Sequence, residues 1–475
     1  MIDYDLVIIG GTFAAYQAAL IATEFRAKVA LVVNSTINNH PYYQYYPYIF
    51  QQIKQIKQIN NIKVNHIQEN IEKQYIINIA KNIYEINSLD NLMMQGVDII
   101  TDHGQFTDKY PLEFTVNQRK LKARNYLLAN GSIPTIPQIK GLENIAYLTI
   151  NNIWQYIEKH IDKNALNKHF AIIGGTPQSI EIAQILANLG SQITLILNNR
   201  NILNYIDTEI AQLLIAQLEI NGIQILTDTI VTQIREIDGK KWLQAGNKAI
   251  ETDEIIIAIN QEPNIQSLNL KSIGVKYNQQ RLMVNKKLQS SNHRVYACGD
   301  VIGGYNIPSL GNYEANIAVK NALFLPIHEV NYQTVIWGIY CQPNIAHIGL
   351  TANQAKGKYP ANQILELKQY FKTNTAAQIT GENTGVCKLV VLENGQILGC
   401  CIFGSAATEI INIMALLIAK NLKVAELANI APIYPSFSEI LVKTAREWQN
   451  ERMRKNHILQ ELLASFFNFR RDINF

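Results

Sequence analysis

Two short turns carry the most legible chemistry in this chain. The string IIGGT occurs at residues 8–12 and again at residues 172–176. Each copy leaves an apolar run and enters a small-residue helix, first as YDLVIIGGTFAAYQAALIA and then as HFAIIGGTPQSIEIAQILA. A glycine turn in that setting brings backbone N–H groups and the positive end of a helix up to an anion, such as the pyrophosphate of a dinucleotide. The pattern G-x-G-x-x-G uses its glycines for the turn, for close approach to the pyrophosphate and for the helix–strand contact. Here those positions are Gly10, Thr12 and Ala15, then Gly174, Thr176 and Ser179, with Gly11 beside the first. The first glycine is kept twice, the third position is small twice, and the second is threonine twice. A threonine there crowds the pyrophosphate but offers a hydroxyl that can donate to it. Its repetition points to a retained phosphate turn rather than to two independent losses.

Such turns work only when strands hold them. A second strand follows each helix at the right distance, AKVALVV at residues 27–33 and SQITLIL at residues 191–197, so each copy reads as a strand–helix–strand unit. A polar stretch rich in tyrosine and lysine follows the first unit, with surface helices expected around IFQQIKQIKQINNIKV. Short strands then lead through ANGSIPTIP into the second unit, which closes at DEIIIAINQEPN. Further strands end in VYACGDVIGG before a helix, YEANIAVKNALF. From about residue 333 the texture changes to strands and helices, with a hairpin in KLVVLENGQILGCCIFG turning at residues 393–395. The fold class expected is α/β, with two Rossmann-like dinucleotide-binding domains of the three-layer ββα type and an α+β C-terminal domain.

Composition narrows the partners. At 475 residues the chain has room for several domains, its formal charge is +4 and only 17% of its residues are charged. No basic stripe with interleaved aromatics points to nucleic acid. The acidic start MIDYDLVIIGG runs straight into a strand and does not read as a secretory signal. The longest apolar helical run, IINIMALLIAK, is too short to cross a bilayer, so a soluble, cytoplasmic protein is expected. All five cysteines lie at Cys298 or later, with no CxxC, no HExxH and no ligand cluster, and no metal site is expected. Cys400 and Cys401 adjoin in a strand-like stretch, where neighbours point to opposite faces, and read as small buried hydrophobes.

In the order of its two units, with ANGSIPTIP, AINQEPN, VYACGDV, IAHIGLT and IAPIYPSFSE, the chain resembles the pyridine nucleotide-disulfide oxidoreductases, the flavoproteins that include dihydrolipoamide dehydrogenase and mercuric reductase. The GGTPQ turn and the FNFRR tail are most similar to a cyanobacterial, mercuric-reductase-like branch. The resemblance covers essentially the whole chain. It implies an FAD-binding domain at 1–149 completed by a central part at 266–332, and an NAD(P)-binding domain at 150–265. A dimerisation domain at 333–450 and a C-terminal helical tail at 451–475 follow, so a homodimer is expected. By the same likeness FAD falls to Gly10, Gly11, Thr12, Ala15, Gly131, Gly299 and Asp300, the last two holding the ribityl chain. NADH or NADPH, as co-substrate, falls to Gly174, Thr176, Ser179, Glu181 and Arg200, with Glu181 near the nicotinamide end.

The departures from this family are as informative. Its redox disulfide should follow the second strand, where this chain has NSTINNHPYYQYYPYIF and no thiol. The family's acid–base pair, a His-Pro with a glutamate five residues past the histidine, is here Tyr434, Pro435 and Glu439, and no histidine lies between His347 and His457. A tyrosine, with a pKa near ~10, is a poor base at neutral pH. The acids that end the second strands and bind a ribose are replaced by Val33 and Leu197, and Asn130 and Asn260 replace Thr and Gly in two turns. Losing the acid in the second unit, with Arg200 close by, tilts the expectation toward NADPH.

The expected function is an FAD-dependent NAD(P)H oxidoreductase that passes hydride to flavin and then to a small non-disulfide acceptor, with Glu181, Tyr434 and Glu439 as candidate catalytic residues. Tyr42, Tyr43, Tyr45, Tyr46 and Tyr48 fall where the disulfide would cover the flavin and could stack a planar acceptor such as a quinone. The alternative is a non-catalytic dimer of the same fold with a binding or assembly role. The tail HILQELLASFFNFRR could form an apolar helix face beside Arg470 and Arg471, for docking on the dimer partner in preference to peripheral membrane contact.

Overall fold

The computed structural model describes all residues except 1, 35–44, 53–77, 84, 86–87, 109, 161–165, 204, 305–306 and 474–475. Its contacts divide the chain into two compact units, one of Met1–Ile202 with Leu218–Asn331 and the other of Leu203–Gln217 with Tyr332–Phe475.

The first unit contains two copies of one design. The strand Tyr4–Ile9 is buried at every residue but Asp5, as a strand covered on both faces must be. It pairs in parallel with Val29–Val33 on one side and Ala123–Leu128 on the other, setting Val7 between Ala30 and Tyr126. Val295–Ala297 and Asp98–Thr101 complete the five-stranded parallel sheet. The second copy is centred on His169–Ile173, flanked in parallel by Gln192–Ile196 and Glu254–Ile257, with Ile223–Leu226 and Leu148–Thr149 at its edges. Each copy also carries a three-stranded antiparallel sheet, Gly104–Phe106, Phe114–Val116 and Arg119–Leu121 in the first, Val231–Ile237, Lys240–Ala245 and Lys248–Thr252 in the second. The α/β class and both strand–helix–strand units thus stand as the sequence indicates.

In the second unit five antiparallel strands run in the order Ile336–Ile339, Ile345–Gly349, Ile397–Phe403, Val386–Leu392, Ile364–Tyr370. The two central strands are buried at every residue and joined through residues 393–396, which is the hairpin expected there. Cys400 packs into the core beneath the helices Ala407–Ala419 and Glu439–Lys455. Cys401 points the other way, in a cross-strand row with His347 and Lys388. Lys388 is buried there because Asp207 takes its ammonium on both carboxylate oxygens at 2.8 Å and Glu209 adds a contact at 3.1 Å. Nothing in the sequence announces that residues 203–217 pack with this sheet.

Candidate functional site

The first turn is made by collision. Gly10 sits at φ +143°, and a Cβ there would lie 2.0 Å from the carbonyl oxygen of Ala129, so only glycine lets the strand Ala123–Leu128 pass so close. Gly174 repeats this in the second copy, at φ +133° with 2.0 Å to the carbonyl oxygen of Ala258. The strand-end aliphatic residues fold down on the same turns. Val33 Cγ1 and Leu197 Cδ2 each lie 3.0 Å from where a Cβ on Gly11 or Gly175 would stand. The residues that replace the ribose-binding acids are therefore packing elements of the turn.

Both threonines use their hydroxyls in the same way, and it is not toward a phosphate. Thr12 is the N-cap of helix Phe13–Glu24, where its Oγ1 accepts from the N–H of Ala15 at 3.3 Å and donates to the carbonyl of Ala129 at 2.8 Å. Thr176 caps helix Pro177–Asn188, accepting from Ser179 N–H and donating to the Ala258 carbonyl, both at 3.2 Å. A hydroxyl has one proton, and each is already committed to the neighbouring strand. The donation to pyrophosphate expected from the sequence is replaced by a clamp between turn and sheet. The phosphate-facing donors left are the N–H groups of the first helical residues, which have no carbonyl to reach inside the helix. Phe13 and Ala14 supply two in the first copy. In the second copy Pro177, at the helix start, has no N–H to offer.

The third strand end closes the first crevice. Gly299 is at φ +72°, its N–H donates to Glu314 Oε2 at 2.7 Å, and a Cβ on it would stand 3.5 Å from that of Ala14. Asp300 follows, partly exposed as a residue but with its carboxyl enclosed. Burial pushes that carboxyl up to about 7, against a long hydrogen bond from Ser132 at 3.4 Å. Ser132 also bonds Gln261, which ties the two copies together inside this unit. The side-chain oxygens of Asn130 and Asn312 are buried without a partner. These are acceptors waiting for donors, and the hydroxyls of a ribityl chain and the N–H of a flavin ring are donors of the required kind. Gly10, Thr12, Ala15, Gly131, Gly299 and Asp300 are thus joined by short contacts around the ends of the first sheet's strands, with Gly11 in the same turn. Ser132, Glu314 and Gln261 are tied to them by hydrogen bonds, which only the fold shows.

Gly174, Thr176, Ser179 and Glu181 gather at the second turn, with Ser179 and Glu181 buried on its helix. Arg200 is exposed in the bend after Gln192–Ile196. Tyr434 and Glu439 belong to the other unit. Tyr434 is 68% exposed, and Glu439 opens the helix Glu439–Lys455, paired with Lys443 at 3.0 Å. Of the five tyrosines, Tyr42 and Tyr43 lie outside the described residues. Tyr46 is a core residue, edge-on to Trp154 at 5.6 Å and to Phe50 at 6.0 Å. Tyr45 meets Phe13 at 6.3 Å, and Tyr48 is exposed. Among the described residues no group of three His, Cys, Asp or Glu is placed to hold a metal ion, and no helix is long and apolar enough to cross a membrane.

Two dinucleotide folds, the second inserted before the last strand of the first sheet, precede an antiparallel sheet domain along the chain. The chain belongs to the pyridine nucleotide-disulphide oxidoreductase family, which it matches over residues 4–322, with that family's dimerisation domain at residues 335–445. It is 28% identical over 457 residues to a mercuric reductase of Staphylococcus aureus, spanning 92% of this chain and 81% of that protein. A glutathione reductase of Nostoc is 25% identical over 465 residues, spanning 93% and 99%. The HOCl-induced flavoprotein disulfide reductase RclA of Escherichia coli shares the fold, with a TM-score of 0.80 at 20% identity over 94% of this chain and 99% of that one. Members of this family are FAD-dependent and use NADH or NADPH, and the dimerisation domain supports a homodimer.

Proposed function

We propose that this protein is an FAD-dependent NAD(P)H oxidoreductase that delivers electrons to a small, planar, non-disulfide acceptor such as a quinone. The observation that carries this reading is the placement of its thiols. No cysteine precedes Cys298, and all five are free and buried. Desolvation pushes the thiols of Cys298, Cys400 and Cys401 far up, so none offers a thiolate for exchange at neutral pH. A dithiol relay needs an accessible pair, one of them ionised.

FAD, when bound, supplies the hydride-accepting ring and returns two electrons to an acceptor. The chain's own residues bind and orient. The Gly10 turn and the N–H groups of Phe13 and Ala14 meet its pyrophosphate, while Asp300, Asn130 and Asn312 accept from its polar groups. The Gly174 turn holds the nicotinamide dinucleotide through fewer helix donors, which suits a co-substrate that must leave each cycle. Exposed Arg200, with no acid at Leu197, favours NADPH over NADH. Tyr45 and Tyr48 offer aromatic surface for the acceptor, whereas Tyr46 is committed to the core.

The test is the visible spectrum of the purified protein, titrated without oxygen by NADPH and by NADH, then mixed with a soluble quinone or with lipoamide and glutathione disulfide. A flavin band that bleaches faster with NADPH and is restored by the quinone, but not by the disulfides, is the expected result. Restoration by a disulfide would overturn the acceptor class. A protein that stays colourless after incubation with FAD would support the non-catalytic dimer instead.

A further inference from the structure

The helix Glu439–Lys455 carries residue 445, where the matched dimerisation domain ends, and the C-terminal helix His457–Asp472 follows it after Asn456 alone. Among the described residues, the bonds that tie this last helix to the preceding one gather at its foot. The side chain of Asn456 caps it through Leu459 N–H, and Gln460 bonds back to the carbonyls of Met453 and Arg454. From Ile458 to Arg471 every residue except Gln460 and Leu463 is exposed. Ile458, Leu462, Phe466 and Phe469 nevertheless share one line along it, with Leu459, Leu463 and Phe467 beside them. Ile458 is 73% exposed, Leu462 62% and Phe469 63%. A helix of 16 residues is marginal by itself in water, and an apolar stripe of this size marks a contact surface.

The helix is electrically balanced, with Glu461 and Asp472 against Arg470 and Arg471. The cations before it are already engaged. Arg452 lies over the Trp448 ring at 4.7 Å, Arg454 pairs with Glu451 at 3.2 Å, and Lys455 faces Glu393 at 3.8 Å. A stripe with no net charge and acids toward both ends suits another protein face better than an anionic surface. The same chain supplies a face of that kind. At the foot of the helix a cleft of about 600 Å³ is lined by Leu365, Glu393, Arg452, Lys455, His457 and Ile458, apolar at Leu365 and Ile458 and carrying both signs of charge around them. Phe469 stands toward the other end, eleven residues beyond Ile458, or about 16 Å along a helix. In a homodimer the partner's copy of this helix is held nearby at a high effective concentration. A contact that brings the tip of each helix to the foot of the other uses one patch twice and closes after two copies. We propose that this helix packs antiparallel against the same helix of a second copy, Phe469 of each copy seated in the cleft of the other, and so extends the contact made by the dimerisation domain.

The full-length variant Ile458→Cys/Phe469→Cys tests it. Within one chain the two positions are too far apart for a disulfide, and the five native cysteines are buried, so the new thiols can bridge only between copies. Mild oxidation of dilute protein is expected to turn most of the double variant, and little of either single variant, into a covalent dimer on a non-reducing gel. No covalent dimer from the double variant, or as much from one of the single variants, overturns the antiparallel pairing. Hydrogen exchange checks the wild type directly. Amides of residues 461–471 should exchange about tenfold or more slowly than in Leu462→Ser/Phe466→Ser, and equal rates overturn the proposal. So does flotation of the wild type with vesicles of phosphatidylcholine and phosphatidylglycerol, which would give the stripe to lipid. The flavin spectrum should be the same in every variant, which keeps this test separate from those of the cofactor and the acceptor.

Discussion

Asp300 shows how one residue can be costly to the empty fold and useful to the filled one. Its carboxyl is pushed up to about 7 by burial, so near neutral pH the fold bears the strain of ionising it in an enclosed place. Asp300→Asn removes that strain while keeping the shape. The flavin-free variant is expected to melt higher than flavin-free wild type at pH 8, and to bind FAD about tenfold or more weakly, as fluorescence quenching would measure. Pro177 is the counterpart in the second turn. Pro177→Ala restores an N–H at the helix start, and a hydrogen bond to a charged phosphate is worth about 1.5 kcal/mol or more. The expected outcome is a KM for NAD(P)H lower by about tenfold, with the flavin spectrum unchanged.

At the scale of elements, the twinned turns allow a paired experiment. Gly10→Ala and Gly174→Ala each drive a Cβ to 2.0 Å from a carbonyl oxygen, so each breaks one strand crossing. Gly10→Ala should yield protein without flavin. Gly174→Ala should yield protein that keeps its yellow colour but is not bleached by NADPH or NADH, as anaerobic spectra would show. The sheet of the second unit offers a different test. Lys388 is held charged by Asp207 and Glu209 despite the opposing cost of burial. Lys388→Met leaves the Asp207 carboxylate, only 12% exposed, without its cation. The expected loss is about 3 kcal/mol, read as a lower thermal midpoint with an unchanged flavin spectrum.

For the whole molecule, two buried titrating groups give the two units opposite pH trends. Asp300 has a raised pKa, so the folded first unit binds a proton that the unfolded chain has lost. In the flavin-free protein Asp300 therefore takes stability from that unit as pH rises from about 4 to about 7, against the opposite contribution of His169 below about 6.5, whose pKa burial lowers. His347 is lowered, chiefly by burial and against the pull of Asp207 and a hydrogen bond to the Gly349 carbonyl, so here the unfolded chain binds the extra proton. The second unit loses stability as pH falls below about 6.5. Calorimetry of the flavin-free protein should show two transitions moving in opposite senses with pH. FAD should raise the first transition, as any ligand selective for the folded state does.

Much of this architecture is legible in one dimension because its signals are local. A parallel strand buried on both faces must be a short apolar run, and the collision at Gly10 or Gly174 leaves a glycine in the string itself. The hairpin at residues 393–396 and the opposite facing of Cys400 and Cys401 follow from a strand's period of two. The absence of thiols before Cys298 is likewise a property of the sequence. What a side chain does with its hydrogen bonds is not, because the partner is chosen by distant segments. Thr12 reads as a phosphate donor until Ala129 is brought beside it, Tyr46 as an acceptor platform until it meets Trp154, and Val33 as a missing ribose ligand until it closes on Gly11. Ser132, Glu314 and Gln261 carry no signal of their own and meet Gly299 and Asp300 only because strand ends from far apart in the chain converge there. Lys388 and Asp207 make the same point, since a buried charge is tolerable only beside its partner and contacts between remote segments alone decide which partner that is.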